Sequence, residues 1–192
     1  QSAAAGSGKI VNIGVTSSLN TLNPLLMDGV EINKYATGLM FLPLVELDQN
    51  MEFEGMLADS VTAEDERNFL VHIDDKAVWS DGTPVTADDV VYTALRLCSP
   101  VIGNPAMMYY VFEGVGEDGF VEEGADHVEG ITRVDDKTVR FTTKAPMSLI
   151  TFNSSYARYL MPLPKHVIGD IDEKALTSAP WFSRPDVVSG PY

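Results

Sequence analysis

Apolar and polar positions along this chain repeat with two different periods, and each change of period marks where an element begins or ends. Ile10, Asn12 and Gly14 alternate with Val11, Ile13 and Val15, which predicts a first strand buried on both faces. A polar loop is expected from Thr16 to Asp28, broken at Asn23-Pro24. Val30 to Met40 reads as a short helix stopped by Pro43. Leu44 to Asp48 reads as a short strand with a turn at Gln49-Asn50. Phe69, Val71 and Ile73 alternate with Leu70, His72 and Asp74, a half-buried strand that closes on the turn Asp74-Asp75-Lys76. At Val90 the period becomes helical, with Val90, Val91, Ala94, Leu95 and Cys98 forming one apolar stripe. Val128 to Thr143 predicts strand, turn at Asp135-Asp136-Lys137, and strand, with Val139 and Phe141 on one face. Pro146 to Ser154 is expected to be a short helix, and the remainder is punctuated by proline. Short strands interleaved with single helices predict a mixed α/β, or α+β, fold.

The junction Trp79-Ser80-Asp81-Gly82-Thr83-Pro84-Val85-Thr86-Ala87-Asp88-Asp89-Val90 is the most informative stretch. Asp81-Gly82 supplies a tight turn in which glycine is free to take a positive φ, and Pro84 stiffens the exit. Thr86 stands three residues before Asp89, a capping-box-like spacing whose acids favour a helix N-terminus. The helix is expected from Thr86 to about Ser99.

Composition narrows the partners. The 192 residues hold 13 basic and 28 acidic side chains, a formal charge of −15, which argues against nucleic acid or an anionic membrane surface. No run reaches the roughly 18 apolar residues of a membrane helix. Cys98 is the single cysteine, so no internal disulfide forms, and its place on the helical stripe predicts a buried, inert thiol. Residues 1–8 are rich in Ala, Gly and Ser and read as a flexible tether. They lack the charged and hydrophobic regions of a signal peptide.

Enzymatic constellations are poorly represented, and no catalytic residue, cofactor or metal site is expected. Serine elbows, His-Glu-x-x-His, phosphate loops and dinucleotide fingerprints are missing. His72, His127 and His166 have no ligand-spaced neighbours. The acid pairs Asp74-Asp75, Asp88-Asp89, Glu122-Glu123 and Asp135-Asp136 fall mainly in turns and at a helix start, where Asp belongs for backbone reasons. The acidic loop around Glu117-Asp118 fails calcium-loop spacing because Gly114 occupies the first ligand position. Met107, Met108, Tyr109 and Tyr110 suit either core filling or an adaptable binding wall.

As a string, Trp79 to Val90 resembles the signature of the family 5 extracellular solute-binding proteins, the oligopeptide, dipeptide and nickel receptors of ABC importers. Seven further segments match in order. Thr21-Leu22-Asn23-Pro24 resembles the family's threonine-leucine-aspartate-proline, with Asn23 in the aspartate's place. Leu44 to Asp48 and Phe69 to Ile73 resemble family strands, and Leu57-Ala58-Asp59-Ser60 resembles the leucine-alanine-glutamate-serine step between them. Val134 to Val139 resembles its hairpin, and Met161 to His166 its proline-lysine-histidine step. Ser189-Gly190-Pro191-Tyr192 resembles its threonine-glycine-proline-tyrosine.

The resemblance implies a type II periplasmic-binding-protein fold of which this chain is part of lobe I with an inserted subdomain, the second lobe being absent. Residues 9–43 would be a first-lobe core segment, 44–168 the inserted subdomain, and 169–192 the return to that core. It implies a non-enzymatic receptor that captures extracellular peptides by hinge closure and passes them to a permease and ATPase complex. Oligopeptides come first and dipeptides next, with nickel chelate or oligosaccharide as alternatives on the same fold. An acid-dependent hydrolase is the competing class. The resemblance further implies a monomer, periplasmic or lipid-anchored on the outer face of a bacterial membrane, with membrane contact only through an upstream lipid anchor. Ligand-binding residues carried over are Asp28, Gly29 and Val30, whose backbone pairs with peptide, and Tyr109, or Tyr110 if the register slips.

Overall fold

The computed structural model describes residues 14, 16, 18–28, 30–106 and 108–191. Apart from Gly14, the expected first strand over 10–15 lies outside the described residues, as do the tether 1–8, Gly29, Met107 and Tyr192.

The described chain opens with a 3₁₀ turn, Pro24–Leu26, whose Asn23 cap accepts the Leu25 amide through its side chain. Helix α1, Glu31–Gly38, follows. The Gln49-Asn50 turn joins β1, Val45–Leu47, to β2, Phe53–Gly55, in a small antiparallel hairpin. The main sheet is antiparallel with spatial order β3-β4-β6-β5. Its strands are β3 (Ala58–Ala63), β4 (Asn68–Ile73), β5 (Ile131–Arg133) and β6 (Thr138–Thr142). The alternation read from Phe69, Val71 and Ile73 is the pattern of burial, since all three are fully buried. Phe69 faces Phe141 and Val71 faces Val139 across the β4–β6 pair.

β2 and β3 were not expected from the pattern. β3 is an edge strand with one fully buried residue, Ala58, so its sequence carries no core-facing alternation to read. The first strand of the 128–143 unit is also shorter than expected, because Val128 closes only an isolated bridge to Ile131.

Helix α2, Ala87–Leu97, packs on β5 and β6. Gly82 has φ +88, and Asp81 Oδ1 accepts the Thr83 amide at 2.9 Å, so the turn forms as its residues dictate. The capping box is present: Asp89 Oδ2 accepts the Thr86 amide at 2.9 Å. Asp89 goes beyond capping. It is 4% exposed, accepts Trp79 Nε1 at 3.3 Å and accepts the Lys165 amide at 2.9 Å.

The helix expected over 146–154 starts later and runs further. Ser148 caps α3, Leu149–Phe152, which widens into a π-helix, Asn153–Ala157. Two short helices, α4 (Lys165–Ile168) and α5 (Glu173–Leu176), and a 3₁₀ turn, Pro180–Ser183, complete the chain. The closing stretch returns to the start: the Ser189 and Gly190 amides bond to the Met40 carbonyl. Among the described residues no helix is long and apolar enough to cross a membrane.

Candidate functional site

Three local structures surround one cleft. The first is the segment entering α1. Asp28 Oδ1 accepts the Val30 amide at 3.0 Å and the Asn33 side-chain amide at 3.0 Å, so Asp28 organises the helix start from two residues upstream of its Val30 cap. The Val30 carbonyl in turn accepts the Asn33 amide. The second is the segment before the 3₁₀ turn Met108–Val111. There Asn104 donates to the Leu25 carbonyl at 2.8 Å and accepts the Ala106 amide, locking this loop to the Pro24–Leu26 turn. The third is the π-helix end. Arg158 N–H reaches back five residues to the Asn153 carbonyl at 3.1 Å. Such wide turns recur at functional sites because they redirect side chains.

The cleft measures about 720 Å³, within the roughly 300–1,000 Å³ of small-ligand sites. Asp28, Val30, Lys34, Tyr109, Arg158 and Tyr159 are among its walls. Tyr109 is only 5% exposed and sits on the core aromatics, 5.9 Å from Phe112 and 6.3 Å from Tyr156 between ring centres. Burial raises its phenol well above the ordinary value, with Cys98 and Tyr156 adding to the effect, so the hydroxyl stays neutral. Tyr110 is 51% exposed and is not part of the lining.

Charge on the wall comes from a cluster centred on Glu46. Lys34 Nζ lies 3.1 Å from Glu46 Oε2, and Arg158 Nε pairs with Oε1. Burial pushes the Glu46 carboxyl upward, but the Leu47 amide, Lys34 and Arg158 outweigh it and hold it below the ordinary range. Lys34 also lies 4.9 Å above the Tyr159 ring, an attraction between cation and ring face.

These groups offer a ligand an aromatic wall, hydroxyls and charges of both signs. The described lining holds neither histidine nor cysteine. The three histidines pair with Asp59, Asp126 and Asp81 at the surface. Cys98 is fully buried, its thiol pushed up to about 12 by that burial.

Residues 52–192 match the family described as bacterial extracellular solute-binding proteins, family 5 Middle. The chain belongs to that family. It is similar to the peptidoglycan-binding protein YepA of Agrobacterium fabrum (strain C58), 29% identical over 96% of this chain and 28% of the relative. It is also similar to the periplasmic oligopeptide-binding protein OppA of Escherichia coli (strain K12), 28% identical over 82% of this chain and 29% of the relative. The solved structure of Burkholderia pseudomallei OppA aligns with a TM-score of 0.74 at 22% identity, covering 93% of this chain and 34% of that one. The mixed α/β fold is therefore that of the family 5 binding proteins. This family 5 chain spans under a third of the length of the curated relatives it matches.

Of the binding residues expected from sequence, Asp28, Val30 and Tyr109 come together in the cleft of this family 5 chain, Tyr110 lies off it, and Gly29 is outside the described residues. Sequence reasoning missed Lys34, Tyr35, Asn104, Arg158 and Tyr159. The available signal was faint: two polar residues on α1 after Asp28, and an Arg-Tyr pair far along the chain.

Proposed function

We propose that this chain forms one wall of the ligand site in the substrate-binding component of an ABC importer, which captures extracellular peptides by hinge closure. Oligopeptides are the first substrate class and dipeptides the second. The observation that carries this reading is the cleft that joins Asp28 and Val30 to Tyr109 across about eighty residues of sequence. Support also comes from family membership and from relatives named as oligopeptide- and peptidoglycan-binding proteins. Peptide pairing by the Asp28-Gly29-Val30 backbone has a structural consequence. The Val30 amide is held by Asp28, so a ligand carbonyl arriving there shares or displaces that bond.

On this proposal, residues 9–43 and 169–192 belong to the first lobe's core and 44–168 to its inserted subdomain. The receptor acts as an extracytoplasmic monomer, free in a periplasm or anchored by an upstream lipid, and hands its ligand to a permease and ATPase complex. The reading is tested by calorimetry on the complete receptor with an alanine pentapeptide. Micromolar or tighter binding is expected, and Tyr109→Phe should weaken it about three- to tenfold, the range of one lost hydrogen bond. A larger loss from Tyr110→Phe than from Tyr109→Phe would overturn the assignment of Tyr109.

A further inference from the structure

The cluster around Glu46 is unbalanced in a way a structural clamp does not require. One carboxylate faces two cations, Lys34 on Oε2 and Arg158 on Oε1, and Oε1 also takes the Leu47 amide at 2.9 Å. A single cation would suffice to neutralise it. Both cations line the cleft, whereas Glu46 does not. Arg158 meets Glu46 through Nε, on the stem side of its guanidinium, and its two terminal nitrogens carry no hydrogen bond among the described residues. The Tyr159 ring holds both cations, at 4.9 Å from Lys34 and 6.0 Å from Arg158. In a chain with only 13 basic residues and a formal charge of −15, two of them converge on this wall.

Asp28 is the acid of the described lining. Its Oδ1 is committed to the Val30 amide and Asn33, at the head of α1, while Lys34 leaves that helix toward β1 to meet Glu46. The wall is thus polarised, negative where α1 begins and positive where Lys34 and Arg158 meet.

We propose that Lys34 and Arg158 form a subsite for a carboxylate carried by the ligand, so that the receptor selects peptides presenting a negative group at that position. This rests on the peptide reading above and adds a charge requirement to it. A guanidinium with free terminal nitrogens matches a carboxylate in shape and donor geometry, and such charge-assisted bonds are the stronger kind. The carboxylate can come from an acidic side chain or from the peptide's C-terminus. Glu46 is a positioning residue that moderates the positive charge without touching the ligand.

The test is calorimetry on the complete receptor with alanine pentapeptide, its single-Gln and single-Glu versions at each position, and all of these with free or amidated C-termini. Melting temperatures are measured for every variant. The wild-type receptor should prefer Glu over Gln at one position, or a free over an amidated terminus, by about tenfold. The arm that shows the preference names the source of the carboxylate. Arg158→Gln, and independently Lys34→Gln, should bring that ratio toward one. Glu46→Gln should raise it, because it removes the competing negative charge. A clamp with no ligand role predicts lower melting temperatures for all three with the ratio unmoved, and that result overturns the subsite. A preference that survives Arg158→Gln and Lys34→Gln belongs elsewhere in the receptor and overturns it as well. Peptide binding with no carboxylate preference overturns the subsite alone. Failure of every peptide to bind overturns the peptide reading and takes the subsite with it.

Discussion

Asn23 shows how a single departure from a family pattern acquires a reason only in three dimensions. In sequence it replaces an aspartate that would cap the following turn equally well. In the structure its carbonyl oxygen caps that turn at Leu25, while its amide nitrogen donates to the Leu176 carbonyl at 2.9 Å. A carboxylate keeps the first bond and turns the second into a repulsion between two acceptors at a site 4% exposed. Asn23→Asp should therefore destabilise the chain by about 2 kcal/mol in urea titration. Equal stability would show that the Leu176 contact contributes nothing. Gly190, which keeps the family pattern, also finds its reason only in three dimensions. A Cβ there would sit 2.4 Å from the Leu39 carbonyl oxygen, so glycine is required by close backbone approach. Glu46 adds a pH dependence. Its folded-state pKa lies below the ordinary value, so the unfolded chain binds the proton more tightly. Stability from this group is present above the ordinary carboxylate range and is lost as pH falls through the depressed value. Glu46→Gln should flatten the acid side of a melting-temperature profile below about pH 4.5. An unchanged acid limb would remove Glu46 from the account.

At the scale of elements, the turn and helix from Trp79 onward were legible because every contributing interaction is local. Asp81, Gly82, Thr86 and Asp89 act within a few residues of one another, and backbone geometry follows from their types. What the local reading left out is that Asp89 also ties α2 to Trp79 and to the start of α4. Asp89→Ala therefore removes more than a cap. The expected loss is about 2–4 kcal/mol, above the roughly 1 kcal/mol of a typical cap, because the buried Trp79 indole N–H and Lys165 amide lose their acceptor. A cost near 1 kcal/mol in chemical denaturation would return Asp89 to a capping role alone. β3 marks the opposite limit. Edge strands pair by backbone and expose most side chains, so β3 left no alternation to read, whereas β4 between two neighbours is legible in Phe69, Val71 and Ile73.

For the molecule as a whole, the chain spans about a third of a family 5 binding protein, and a ligand held by hinge closure gains its affinity from contacts on both sides. Residues 1–192 alone should bind an alanine pentapeptide weakly or not at all, and submicromolar affinity in calorimetry would overturn the shared-wall arrangement. Amino-acid order by itself determined the buried alternation of β4, the capped start of α2, the buried Cys98 and the family, because each depends on neighbours within about ten residues or on a string of such neighbourhoods. It also singled out Asp28 and Tyr109, through resemblance. Tertiary structure alone decided that Lys34 and Arg158, more than a hundred residues apart, share one carboxylate and one cleft wall. Electrostatic interactions act through space between groups the chain has brought together, and nothing in the local pattern around either cation encodes where the other will lie.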